Sequence, residues 1–178
     1  MIQHTELISG DSVRIERVLA APRERIWEHL VDPAKRSRWF CAGDELRDVG
    51  QRFAFGFNHT RITPEQRPGS PPRDPSEPDF VSHGEVLAFE PPRLLKFNWE
   101  QKPGKPSEVM FELTPQGDGT LVVITHTKLP TREDVVNIGG GWNAHLDILA
   151  DELAARTHGP FWTNFAAYAE VMEARVPK

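Results

Sequence analysis

Among the seven histidines of the chain, His145 is placed best for chemistry. On a helix turning about 100° per residue it flanks a stripe made by Trp142, Leu146, Leu149 and Leu153, where apolar and polar faces meet. An imidazole there can orient a polar-headed ligand or move a proton near neutral pH. The plainer reading is a boundary histidine satisfied by water or backbone. His126 shares a strand face with Val122 and Ile124, and His83 with Val81 and Leu87. Either adds a polar group to an interior or sits at a strand end facing solvent. A metal site needs several converging ligands. The chain has no His-x3-His or His-Glu-x-x-His spacing and one cysteine, so neither metal nor cofactor is expected.

The remaining reactive residues read more plainly. Glu108 and Glu112 share one strand face with Met110 between them, and they alternate with Val109, Phe111 and Leu113. That pattern makes theirs the exposed face rather than an acid–base pair. Asp147 and Asp151 lie away from the apolar helical stripe and take the same reading. Gly139-Gly140-Gly141 reads as a flexible entry to a helix, without the lysine of a P-loop or the spacing of a dinucleotide fingerprint. Cys41 follows Trp39-Phe40 with no activating partner in sequence, and reads as a buried or incidental thiol. No residue is assigned a catalytic role.

The elements that must position these residues follow from periodicity. Val13, Ile15, Arg17 and Leu19 alternate with Arg14, Glu16, Val18 and Ala20, which predicts a strand ending near Ala21-Pro22. Ile26, Trp27, Leu30 and Val31 predict a helix that Asp32-Pro33 breaks, and Asp32 can cap a short second one leading to Trp39 and Phe40. Strands are then predicted over 44–48, 51–57, 80–89, 93–100, 107–113 and 119–129, with breakers such as Pro91-Pro92 and Gly117-Asp118-Gly119 between them. Short strands without intervening helices argue for an antiparallel meander. Residues 64–78 contain six of the 16 prolines and no apolar side chain. They predict an exposed loop inserted between two strands. Helices close the chain, from Gly141 to Arg156 and over about 160–174. The aromatic stripe Phe161, Trp162, Phe165, Tyr168 on the last helix either packs on its own domain or makes a homodimer contact.

Composition bounds the classes of function. The 178 residues suit one domain with a sizeable core, spanning 1–178 with its centre at about 11–156. A hydrophobic share of 38% and a charged share of 26% are those of a globular protein. A net charge of −5 argues against nucleic acid, whose phosphates call for clustered lysine and arginine. No apolar run is long enough to cross a bilayer, and the first residues lack the pattern of a signal peptide. A cytoplasmic location without membrane insertion is expected.

The sequence resembles a known family at several places in order. Val13-Arg14-Ile15-Glu16-Arg17-Val18, the Pro22…Ile26-Trp27 helix, Asp32-Pro33 and Arg38-Trp39-Phe40 resemble the opening of homologues of the activator of heat-shock protein 90 ATPase, in the START-like (SRPBCC) superfamily. His83-Gly84-Glu85-Val86, Pro91-Pro92-Arg93-Leu94 and Gly141-Trp142…Leu146…Leu149…Leu153 resemble its middle and close. The resemblance spans roughly residues 11–156. It implies an α+β helix-grip fold, in which a curved antiparallel sheet of about seven strands wraps a long C-terminal helix, with two short helices after the first strand. It also implies a cavity between sheet and helix for a small hydrophobic or amphipathic molecule. On that geometry the candidate ligand-binding residues are Trp39, Phe55, Phe57, Phe97, Trp99, Phe111, Trp142, His145, Leu146 and Leu149. The family name adds a chaperone contact and a stress-response role.

Three readings of function stay open, and each predicts a different interior. A binding module predicts a hollow, mostly apolar space. A protein-interaction or co-chaperone-like module predicts a filled core and an exposed apolar patch. An enzyme of the cyclase or isomerase kind, with His145 or His126 as acid–base, predicts a polar pair with shifted protonation inside the same cavity.

Overall fold

Eight strands form one antiparallel sheet in the order β1-β2-β8-β7-β6-β5-β4-β3. The computed structural model describes residues 4–71, 74, 76–78 and 80–177. The strands are β1 (His4–Ser9), β2 (Ser12–Leu19), β3 (Ala42–Gly43), β4 (Arg52–Phe57), β5 (Phe80–Glu90), β6 (Leu94–Glu100), β7 (Ser107–Gln116) and β8 (Gly119–Thr127). The helices are α1 (Arg23–Val31), α2 (Pro33–Arg36), α3 (Arg132–Leu153) and α4 (Phe161–Arg175). This is the expected α+β helix-grip arrangement, with a further strand, β1, ahead of the predicted first one. Among the described residues no helix is long and apolar enough to cross a membrane.

Alternation of side chains puts one apolar face of the sheet against α3. Val13, Ile15 and Leu19 of β2, Phe53, Phe55 and Phe57 of β4, and Leu95, Phe97 and Trp99 of β6 are all buried on it. The segment expected as a strand over 44–48 is instead a loop. Only Ala42 and Gly43 pair with β4, and Asp44 then accepts from the Ala54 N–H at 2.8 Å through its carboxylate, ending the ladder. Asp32 caps α2 as expected, accepting from the Lys35 N–H at 2.9 Å. The next turn is locked by Arg36, which sequence reading passed over. Its buried guanidinium donates to the carbonyls of Leu30, Val31, Cys41 and Asp44 at 2.6–3.3 Å, and lies 4.5 Å from the centre of the Phe55 ring. All three nitrogens of that planar fork donate to carbonyls on segments that must be held together.

The long helix starts nine residues before the expected Gly141, at Arg132, with Thr131 accepting from the Asp134 N–H at 3.1 Å as its cap. Gly139, Gly140 and Gly141 therefore lie inside α3 rather than leading into it. The reason is α4, which packs against α3 at this point. A Cβ at Gly139 would lie 2.6 Å from the Met172 side chain, and one at Gly140 would lie 3.1 Å from the backbone of Ala169. The loss of helix propensity, about 1 kcal/mol per glycine, is accepted because two backbones must come close. With the run inside a helix, its N–H groups are spent on the helix itself and are not available to an anion.

Asp147 is also not on a solvated face. Arg17, buried on the inner face of β2, donates to Asp147 Oδ1 at 2.6 Å and to Asn143 Oδ1 at 3.3 Å. Asp147 Oδ2 then accepts from Asn164 and from the Tyr168 hydroxyl, both at 3.0 Å. One carboxylate thus joins sheet, α3 and α4. The aromatics Trp162, Phe165 and Tyr168 of α4 pack against the domain's own core.

Two outcomes follow for stability. Gly140→Val forces a contact that backbone cannot yield, and thermal melting is expected to show a loss of about 1–3 kcal/mol. Gly141→Ala, whose new Cβ has only Phe165 at 4.0 Å, is expected to gain roughly 0.5–1 kcal/mol from helix propensity; equal destabilisation by both would refute the close-packing account. Asp147→Asn leaves Arg17 without its countercharge, and urea unfolding is expected to show a loss of about 3 kcal/mol. The double variant Arg17→Met/Asp147→Leu should lose less than that single change.

Candidate functional site

The ten candidate ligand-binding residues all lie inside the grip and are all buried. Phe55, Phe97 and Phe111 form one group on the sheet, with Phe55–Phe97 ring centres 5.8 Å apart and Phe97–Phe111 6.2 Å. Phe57, Trp99, Trp142 and His145 form a second group nearer the open end. Leu146 and Leu149 of α3, and Trp39 after α2, close the space from the other side. These side chains fill the interior rather than frame a void. The space bounded by Trp39, Phe40, Phe55, Phe97 and Phe111 amounts to about 10 Å³, less than one water needs with partners.

Phe40, absent from the sequence-derived set although it belongs to the Arg38-Trp39-Phe40 motif, is the hub. Its ring centre lies 5.0 Å from Phe57, 5.8 Å from Trp99, 4.9 Å from Trp142 and 5.0 Å from His145. Phe40 also borders a cavity of about 230 Å³, with Ser37, Cys41, Ala42, Gly56, Asn58, Arg61, Ser76 and Pro78, the mouth of the grip. Arg61 is the one charged residue among those nine. One residue, Phe40, therefore touches both the open mouth and the packed interior.

Two of the candidate histidines are inside, and their surroundings differ. Trp142 Nε1–H donates to His126 Nδ1 at 3.1 Å, so the imidazole proton sits on Nε2, which faces Ser107 Oγ at 2.7 Å. The Ser107 hydroxyl donates onward to the Trp99 carbonyl at 3.1 Å. Nearby, Trp99 Nε1–H donates to Ser82 Oγ at 2.6 Å. Both nitrogens of His126 are thus occupied, and burial pushes its pKa down to about 3. His145 Nδ1 lies 2.8 Å from the Trp39 carbonyl. A carbonyl only accepts, so Nδ1 carries the proton and Nε2 holds a lone pair. Burial, and secondarily the neighbouring His59, lower the His145 pKa to about 3.

His83 is exposed on the outer face of β5, away from the grip. Glu108 lies on that outer face too, held below the usual carboxylate range by Lys128 and Lys96. Burial raises the Cys41 thiol to about 12, which keeps it unreactive although it lines the mouth. Two residues the sequence reading left out of the interior complete its far wall. His59, on the turn after β4, and Phe161, the first residue of α4, have ring centres 5.7 and 4.7 Å from His145.

The Pro-rich stretch 64–78, of which 72, 73 and 75 lie outside the described residues, is mostly exposed as expected. Its near end is nevertheless tied to α4. The Glu65 carboxylate accepts from the Thr163 N–H at 3.0 Å and the Thr163 hydroxyl at 2.5 Å, a cap that Pro160 cannot supply. Arg67 lies 5.2 Å from the centre of the Trp162 ring. Its far end, Ser76 and Pro78, walls the mouth.

Both buried imidazoles stay neutral in the folded state down to about pH 3, whereas in the unfolded chain they protonate near 6.5. The unfolded state therefore binds more protons below about 6.5, and stability is complete above that pH and falls as pH drops towards 3. Each group is expected to add a slope of about 1.4 kcal/mol per pH unit in that window. Urea unfolding at pH 6.0 and 5.0 measures it, and His145→Gln should reduce the proton count by about one. An unaltered slope would show that His145 titrates normally.

A family model described as "Activator of Hsp90 ATPase homolog 1-like protein" matches residues 20–154. The solution structure of the protein encoded by gene BPP1335 of Bordetella parapertussis is 39% identical, over 98% of this chain and 91% of its own, with a TM-score of 0.78. The solution structure of CalU16 from Micromonospora echinospora is 25% identical over 99% of this chain and 97% of its own, with a TM-score of 0.70. Protein CV1439 from Chromobacterium violaceum, 19% identical over 82% of this chain and 98% of its own, shares the fold at a TM-score of 0.63. No protein with a curated functional description matches.

Proposed function

The chain belongs to the family of activator of Hsp90 ATPase homolog 1-like proteins, and on that footing we propose that it binds a small apolar or amphipathic molecule in its grip. The observation that carries this reading is the position of Phe40 between the 230 Å³ mouth and the aromatic interior. The mouth alone is below the ~300–1,000 Å³ of usual ligand pockets. A ligand entering there displaces the Phe40 ring and replaces its contacts with Phe57, Trp99, Trp142 and His145. The side chains around that ring are mostly aromatic, and the wall of the mouth adds Asn58, Ser37 and Arg61 at its polar rim. Such an arrangement suits a molecule with an apolar body and a polar end.

A second reading, a protein-interaction or co-chaperone-like module, is favoured by one feature. Phe80 and Val81 at the start of β5 are 42% and 54% exposed, and the interior is filled. Phe80 is, however, already stacked on Phe57 with ring centres 4.5 Å apart, and successive strand side chains point to opposite faces, so the two fall well short of an interface core. An enzymatic reading has less support. His126 has no nitrogen left for a substrate, and burial, with His59 beside it, lowers the His145 pKa to about 3, which makes it a weak base at neutral pH.

The test is native mass spectrometry of gently purified protein, paired with NMR titration by a small apolar probe. Expected are a bound small molecule, or shifts of the Trp99 and Trp142 indole N–H resonances while that of Trp27 stays in place. Shifts confined to the surroundings of Phe80 and Val81, or none, would overturn the binding reading and favour the interaction reading.

A further inference from the structure

The outer face of the sheet carries a second cavity, of about 400 Å³, within the ~300–1,000 Å³ range of ligand pockets. It is lined by His83-Gly84-Glu85 of β5, a stretch that the grip leaves without a role. A Cβ at Gly84 would lie 2.2 Å from the Asn98 carbonyl and 2.4 Å from the Phe53 ring. Only glycine therefore lets that ring reach the cavity, where Pro106 adds a second apolar wall. Strand register sets the polar groups in a row. Arg52 of β4 stands opposite Glu85, and Glu85 opposite Asn98 of β6, so a guanidinium, a carboxylate and a carboxamide follow one another at a strand spacing of about 4.8 Å. Among the described residues the side chains of Arg52, His83 and Glu85 make no hydrogen bond and no ion pair. Asn98 Oδ1 accepts from the Glu85 N–H at 2.8 Å, which leaves its NH2 group to the cavity. The neighbouring carboxylates are engaged instead. Glu108, next along the same row, is paired with Lys96 and Lys128, and Glu100 accepts from the Gly104 N–H.

We propose that this cavity is a second site, which binds a small zwitterion of the α-amino acid kind with an apolar side chain. The ligand carboxylate meets the Arg52 fork and the Asn98 NH2 group, and its ammonium meets Glu85, through charge-assisted hydrogen bonds. Its apolar part lies on Phe53 and Pro106. Among the described residues no three His, Cys, Asp or Glu side chains are grouped to hold a metal ion, so the partner left to Glu85 is an organic cation. Arg52 and Glu85 face each other across two strands, yet an exposed pair of that kind gains little by closing on itself. The two groups therefore give up little when a ligand takes both. A ligand with one charge does worse. An amine that reaches Glu85 is repelled by Arg52, and a carboxylate that reaches Arg52 is repelled by Glu85. The site lies across the sheet from the mouth of the grip and does not depend on what the grip binds.

The experiment is an NMR titration at pH 7 with three probes of one body: L-phenylalanine, phenethylamine, which lacks the carboxylate, and 3-phenylpropanoate, which lacks the ammonium. L-Phenylalanine is expected to shift the backbone amides of Gly84, Glu85 and Asn98 while those of Ser37 and Asn58 at the mouth hold still. It should bind about fivefold or more tightly than either analogue. Arg52→Gln should abolish the preference over phenethylamine, and Glu85→Gln the preference over 3-phenylpropanoate. Neither side chain holds another part of the fold, so both variants keep the structure. Equal affinity for all three probes would show an apolar recess only and overturn the proposal. Phenethylamine binding as tightly as L-phenylalanine would reduce the site to an acidic patch and overturn it too, as would shifts confined to the mouth or none at all.

Discussion

The ion pair between Arg17 and Asp147 sets where the helices can lie. A guanidinium on the inner face of β2 is buried by the same alternation that buries Val13, Ile15 and Leu19, so it requires a countercharge within the core. Only a helix laid across the sheet with Asp147 facing β2 provides one. That fixes the rotation of α3, and with it which side of α3 carries Trp142, His145, Leu146 and Leu149 into the grip. The same carboxylate accepts from Asn164 and Tyr168, so α4 is placed by the pair as well. Its first residue, Phe161, then arrives beside His145. The far wall of the candidate site is thus a consequence of a charge on the second strand.

Most of the fold was legible because it rests on periodicity. The alternation in β2, β4, β6, β7 and β8 and the helical stripe of α3 are properties of short windows, and they fixed which side chains turn inward. What escaped were features decided by distant partners. Gly139-Gly140-Gly141 looks like a break until Met172 and Ala169 occupy the space a side chain would need. Asp147 looks solvated until Arg17 and Tyr168 meet it. Arg36 looks like one more surface cation on a charged turn, yet four backbone carbonyls converge on it. The ten candidate residues do gather in one interior, but the residue that connects them to the surface, Phe40, had no signal beyond its place next to Trp39.

The two interior histidines show why residue type alone could not assign roles. Both are buried, both are neutral, and burial moves the pKa of both downward. They differ in what the second nitrogen meets. His126 is a middle link of a chain running from the Trp142 indole through His126 and Ser107 to the Trp99 carbonyl, in which each donor has its acceptor; such a chain stiffens the sheet–helix contact and has nothing left to offer a ligand. His145 is held by one bond and stops there.

A filled interior does not contradict a binding function, provided the closed state is only modestly favoured. Turning Phe40 out of its contacts gives up the burial of one aromatic side chain, about 1.5–3 kcal/mol. An open state that much higher in energy holds from about 7% of the molecules down to under about 1%, and a ligand's apparent affinity falls by the same fraction. The loss is recovered when an aromatic body takes the vacated contacts, since the walls of Phe57, Trp99 and Trp142 meet a ring of similar size. A ligand lacking such a ring would leave them exposed and gain little from entering. On the proposed binding function the packed aromatic cluster would act as a filter in its own right, because the molecule best able to hold the grip open is one that resembles the side chain it displaces.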